Sequence, residues 1–210
     1  MLVRAMTRES DSRRRHLIVV ALWLSSISVV WGAVSGGLAV TVGLLDGSLG
    51  VLGLGLNLLA DLTGSAILIW RFRAELRHAG HADRVEARAA LVVASALGTV
   101  SVILTVSAIQ ALAVGSRPGS STLSLVTSAL AFVVLTPLAY GKHRVAVDLG
   151  SRALRGDGTL SGIGAAVALL ALAALALDRS FGWWWADRVA ALVVAGIAAA
   201  EAVRAAGFRE

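Results

Sequence analysis

The chain has 210 residues, of which 57% are hydrophobic and only 15% charged, with a mean hydropathy of +0.81. That balance excludes a soluble globular domain and points to a protein whose solvent is the bilayer. There is no cysteine, which excludes disulfides and thiolate ligands and leaves oxygen and imidazole for any metal.

The first sixteen residues, MLVRAMTRESDSRRRH, are charged. The apolar run behind them is far longer than the core of a signal peptide and shows no cleavage pattern, so residues 1–16 read as a retained cytoplasmic basic segment. From Leu17 to Trp70 the charged residues are Asp46 and Asp61, in a run of 54 residues that is too long for one span. Two spans fit, separated by the turn Asp46-Gly47-Ser48. The 28 uncharged residues between Arg88 and Arg117 supply a third span, and the 24 between Arg117 and Lys142 a fourth, with GSRPGSS as the turn between them. Pro137 is expected to kink the fourth near its inner end. Gly158 to Leu177 gives 20 uncharged residues for a fifth span. A sixth, around Val189 to Ala200, crosses only if Asp187, Arg188 and Glu201 lie at the interfaces, with Trp183, Trp184 and Trp185 at headgroup level.

Sixteen of the 19 Lys and Arg residues fall in the N-terminus, in the tracts 71–88 and 142–155, and in the C-terminus, against Arg117, Arg179 and Arg188 on the alternate side. The positive-inside rule then predicts an all-α integral membrane protein of six transmembrane helices with both termini cytoplasmic. Residues 17–205 form one domain and 206–210 a short tail. The net charge of +6 flanks apolar runs, which is the pattern of membrane orientation rather than of nucleic-acid binding. Small residues such as Gly32 and Gly36, Gly98 and Thr99, and Ser161, Gly164 and Ala165 predict close helix packing in lipid. No repeat stands out strongly enough to predict inverted halves.

The second span, SLGVLGLGLNLLADLTGSAILIWRF, carries the residues of most interest. Gly50, Gly53, Asn57, Asp61, Gly64 and Ser65 recur at helical spacing and share one face. Asp61 lies about 20 Å along that helix, deep in hydrocarbon, where ionisable groups mark ion paths and are otherwise hydrogen-bonded to a neighbouring helix. Asn57, one turn earlier, offers a carbonyl oxygen to the same ion or a hydrogen bond to another helix. Asp157 sits near the start of the fifth span, where a carboxylate complements a helix N-terminus or serves as a further ligand. His78 and His81, with Glu75, Asp83 and Glu86, form either a loop metal site or a solvated charged loop. No Ser-His-Asp set, phosphate loop, dinucleotide fingerprint or HExxH is present, so enzyme function has no support.

In order, GSLGVLGLGLNLLADLTGSAILIWRF, the basic loop closing with RVEARAALVVASA, SRALRGDGTLSGIGAA and GWWWADRVAALVVAGIAAAEA resemble the membrane domain of the cation diffusion facilitator (cation efflux) family. The chain is similar to the tail-less branch that includes vesicular zinc transporters, and it lacks the family's C-terminal metal-binding domain. The resemblance implies a homodimeric secondary transporter that exports a divalent cation, usually zinc, against protons, with no tightly bound cofactor. The family's helix-two ligand pair falls on Asn57 and Asp61. Its helix-five positions fall on Leu160 and Gly164, which offer no ligating side chain, with Asp157 one turn earlier. That departure leaves two alternatives open: a non-transporting member acting as a membrane scaffold or partner subunit, and an exporter of an organic cation.

Overall fold

In the computed structural model the backbone is described for residues 2–76, 82–115 and 121–207, and the side chains for 13–73, 95, 98–115, 121–151 and 153–204. Six helices follow in order: α1 Leu2–Asp46, α2 Leu49–Leu76, α3 Ala82–Val114, α4 Thr122–Leu149, α5 Arg152–Phe181 and α6 Trp185–Gly207. No strand occurs among the described residues. Arg13–Asp46, Leu49–Arg73, Thr122–Leu149 and Ala153–Phe181 are long and apolar enough to cross a membrane, and α3 adds the shorter apolar stretch Gly98–Val114.

The distribution of polarity is that of a protein dissolved in lipid. Trp23, Ile27, Val30, Val34 and Leu38 form an exposed apolar stripe on α1, Trp23 at 68% and Val34 at 67% exposure, while Ser25, Ser28 and Ser35 are buried. In hydrocarbon an exposed Leu or Val costs nothing and a polar side chain gains by facing another helix.

Glycines set the close contacts. A Cβ at Gly43 would stand 2.6 Å from the backbone nitrogen of Leu52, and one at Gly55 at the same distance from that of Val40. No residue but glycine lets α1 and α2 approach this closely. α4 packs along α5 in the same way, α3 lies against α6, and α2 and α5 meet in the middle. Gly50, Asn57 and Ser65 of α2 face Ala171, Gly164 and Asp157 of α5 in turn, so these two central helices are antiparallel.

Two of the turns between helices are capped alike. α1 and α4 each end on a glycine with positive φ, Gly47 (62°) and Gly150 (64°), which only glycine adopts without strain. Each is followed by a serine, Ser48 or Ser151, whose Oγ accepts from the backbone N–H three residues on, both at 3.3 Å. One further step along, α2 carries Asp61-Leu62-Thr63-Gly64-Ser65 and α5 carries Asp157-Gly158-Thr159-Leu160-Ser161. The two turns share this capping device, but Asp61 lies 13 residues beyond Ser48 and Asp157 six beyond Ser151, so the caps and the Asp motifs do not stand in one register.

Two boundaries also differ from the sequence reading. α1 starts at Leu2 rather than Leu17, since nothing before Gly32 interrupts the helix. α4 runs through Pro137 and past Lys142 to Leu149, where Gly150 caps Ala146 and Val147. Asp187 and Arg188 are buried at the start of α6, against the Gly47 turn.

Candidate functional site

Asp61 and Ser65 stand one turn apart on α2, and Asp157 and Ser161 one turn apart on α5. Because the helices are antiparallel, the pairs cross. Ser65 Oγ donates to Asp157 Oδ1 at 2.9 Å, and Ser161 Oγ donates to Asp61 Oδ1 at 2.8 Å. Into the square of oxygens so formed reaches Lys142 of α4, wholly buried at 0% exposure. Its Nζ donates to Ser161 Oγ at 2.9 Å and to Ser65 Oγ at 3.0 Å. It forms ion pairs with Asp157 Oδ2 at 2.7 Å and with Asp61 Oδ1 at 3.9 Å.

The ammonium's hydrogen bonds go to the two serine hydroxyls, and its contact with Asp157 Oδ2 is an ion pair. Burying a lone ion costs several kcal/mol even after relaxation, on the order of what a well-paired partner returns, so the two carboxylates and Lys142 sustain one another. With all three ionised, one negative charge is left over. The room for Lys142 comes from Gly158, where a Cβ would lie 3.2 Å from Lys142 Cβ.

Apolar layers close the centre at both ends. Ile18, Ala21, Leu68, Phe72, Ala146 and Leu154 cluster on the side of the α1 start. Leu54, Leu58, Leu135, Val167 and Ala168 belong to the larger cluster on the side of the Gly47 turn. The site is occluded.

Of the residues expected from the sequence, Asp61 and Asp157 come together on one cation position. Asp157 does not serve the α5 N-terminus, which Ser151 caps; it lies a turn inside, on Lys142. Asn57 stands one turn beyond Asp61, with its Oδ1 buried and unpartnered. A Cβ at Gly164 would meet that oxygen at 2.8 Å, so Gly164 provides the space into which Asn57 points. Leu160 packs near Gly64 and adds no ligand. His78 and His81 lie outside the described residues. Among the described residues no group of three or more His, Cys, Asp or Glu assembles to hold a metal.

Sequence reasoning placed Lys142 in a cytoplasmic basic tract, and this is corrected. A signal was present: Lys142 is the only lysine in the chain, all 18 other basic residues being arginine. A compact ammonium on a flexible stem suits a tight oxygen cage better than a planar guanidinium does.

A second buried charge is structural. Asp187, at the start of α6, accepts from Ser48 Oγ (2.6 Å), Leu49 N (2.9 Å) and Gly50 N (3.1 Å). It thereby caps the N-terminus of α2, where free N–H groups favour an anion. Arg188 pairs with it and also donates to Gly47 O. Asp46 does the corresponding service for α4, accepting from Ser121 Oγ and, at 2.6 Å, from Ser124 Oγ.

Against known proteins, no protein-family model matches the chain, and no curated protein matches it. The functional reading therefore rests on the residues themselves.

Proposed function

We propose that this chain is a secondary transporter of a divalent cation, zinc foremost, which it carries out of the cytoplasm across the cell membrane through a site between α2 and α5. The observation that supports the reading is the convergence of Asp61 and Asp157 on one buried position between α2 and α5. Two carboxylates, the unpartnered Asn57 Oδ1 and the Ser65 and Ser161 hydroxyls offer oxygen ligands from facing helices, the arrangement that a discontinuous path for an ion requires. Cargo and Lys142 cannot share the site. A divalent ion about 4 Å from an ammonium is repelled by about 8 kcal/mol at an effective dielectric of 20.

The six-pass layout with both termini inside belongs to the same proposal. Tags at the two ends should both be inaccessible in intact cells. An externally accessible C-terminus would refute the layout.

The rival is a scaffold, and Lys142 is what favours it. A centre that holds its own cation needs no other, and a buried charge network can serve to fix one packing of the helices. The full chain in proteoliposomes separates the two. Zinc, manganese, iron and cobalt entry should exceed that into empty liposomes for at least one ion. Equality for all four would leave the scaffold reading standing.

A further inference from the structure

We propose that Lys142 is a tethered cation that holds the place of cargo between Asp61 and Asp157 in the empty carrier, and that cargo enters by displacing it. The inference rests on the transport reading above and adds what the carrier does when it has nothing to carry.

Three observations carry it. Nζ lies where a bound ion would lie, with four side-chain oxygens from two helices around it at 2.7 to 3.9 Å. The charge arrives on a third helix, α4, and on a long side chain whose terminal bonds rotate, so that it can leave while α2 and α5 keep their register. The site is sealed by apolar clusters on both sides with the ammonium inside, which makes this arrangement a complete, closed state rather than a site waiting to be filled. The crossing of the two pairs sharpens the point. Asp61/Ser161 and Asp157/Ser65 are equivalent pairs, while the lysine is single, so one tethered ion serves both.

A consequence follows for coupling. A carrier whose empty site held two uncompensated carboxylates could not close an apolar layer over them and would return only with an ion aboard. With Lys142 in the site one of the two negative charges is compensated, and the empty form returns by itself. Net movement of the cation then needs neither a counter-ion nor a proton gradient, in contrast to the proton exchange that the resemblance implies.

The test uses the full chain, manganese as the probe ion, and Lys142→Met, which keeps the length of the side chain and removes the charge. In detergent, Lys142→Met should bind manganese at least about tenfold more tightly than the parent, because its internal competitor is gone. In proteoliposomes the parent should admit manganese into empty and manganese-loaded vesicles at similar rates, with or without an imposed proton gradient. Lys142→Met should admit it into loaded vesicles only, by exchange, with entry into empty vesicles reduced at least about tenfold. If Lys142→Met does not survive purification, Lys142→Gln, neutral and able to keep hydrogen bonds to the serines, is read by the same criteria. Affinity no tighter than the parent's, or equal entry of the variant into empty and loaded vesicles, overturns the inference. Absence of binding and entry in the parent and both variants overturns the transport reading itself.

Discussion

Lys142 Nζ stands 2.7 Å from Asp157 Oδ2, both side chains wholly or almost wholly buried, in a protein that otherwise builds every positive charge from arginine. Removing either partner leaves the other's charge in the bundle. Lys142→Ala, which leaves both carboxylates without a cation, should lose about 3–5 kcal/mol of stability, and Asp157→Ala less, because Asp61 stays 3.9 Å from Lys142 Nζ. The double variant should lose less than the sum by more than about 1 kcal/mol. Reversible unfolding in mixed micelles gives all four corners of this cycle, and additive losses would mean that the two groups are not coupled.

Asp187 ties the start of α6 to the start of α2 through three accepted hydrogen bonds. Asp187→Ala removes the cap and leaves Arg188 without its carboxylate, so the melting point in detergent should drop markedly, with a loss of about 3 kcal/mol or more. Ser48→Ala removes one of the three bonds and should cost about 1 kcal/mol. Equal effects would show that the carboxylate's contact with the α2 backbone counts for little.

Two glycines on α1 test the close approach of the helices. Gly43 lies against the backbone of Leu52, whereas a Cβ at Gly37 would meet nothing within 4 Å. Gly43→Ala should therefore destabilise by about 1–3 kcal/mol through overpacking. Gly37→Ala should be neutral or stabilise by up to about 1 kcal/mol through helix propensity. The comparison is read as the difference between the two melting points, and a Gly43→Ala protein as stable as Gly37→Ala would contradict the packing.

Much of this was legible in the sequence, and for a physical reason. Spans are written in runs of uncharged residues because the bilayer penalises every charge, so the six helices and Asp61 stand out against that background. Asn57 and Asp61 could be assigned to one face because i and i+4 always share one. Lys142 could not be placed in this way. It lies two residues before Arg144, in a tract that counts as an ordinary inner flank, and only the extension of α4 to Leu149 carries it inside the bundle. The crossing of Asp61 with Ser161 and Asp157 with Ser65 was equally hidden, because the register between two helices is not a local property of either. The same holds for Asp187, whose contact with the start of α2 depends on how α6 packs.

The most direct test of a cation site between α2 and α5 is manganese or zinc entry into proteoliposomes by the parent, Asp61→Asn and Asp157→Asn, each normalised to folded protein. Asparagine keeps the size and most of the hydrogen bonding of aspartate while removing the charge that a divalent ion requires. Entry is expected to be measurable for the parent and to fall at least about a hundredfold, on the order of 2.7 kcal/mol of barrier, in both variants. Parent-like entry by either variant would contradict a shared site at Asp61 and Asp157.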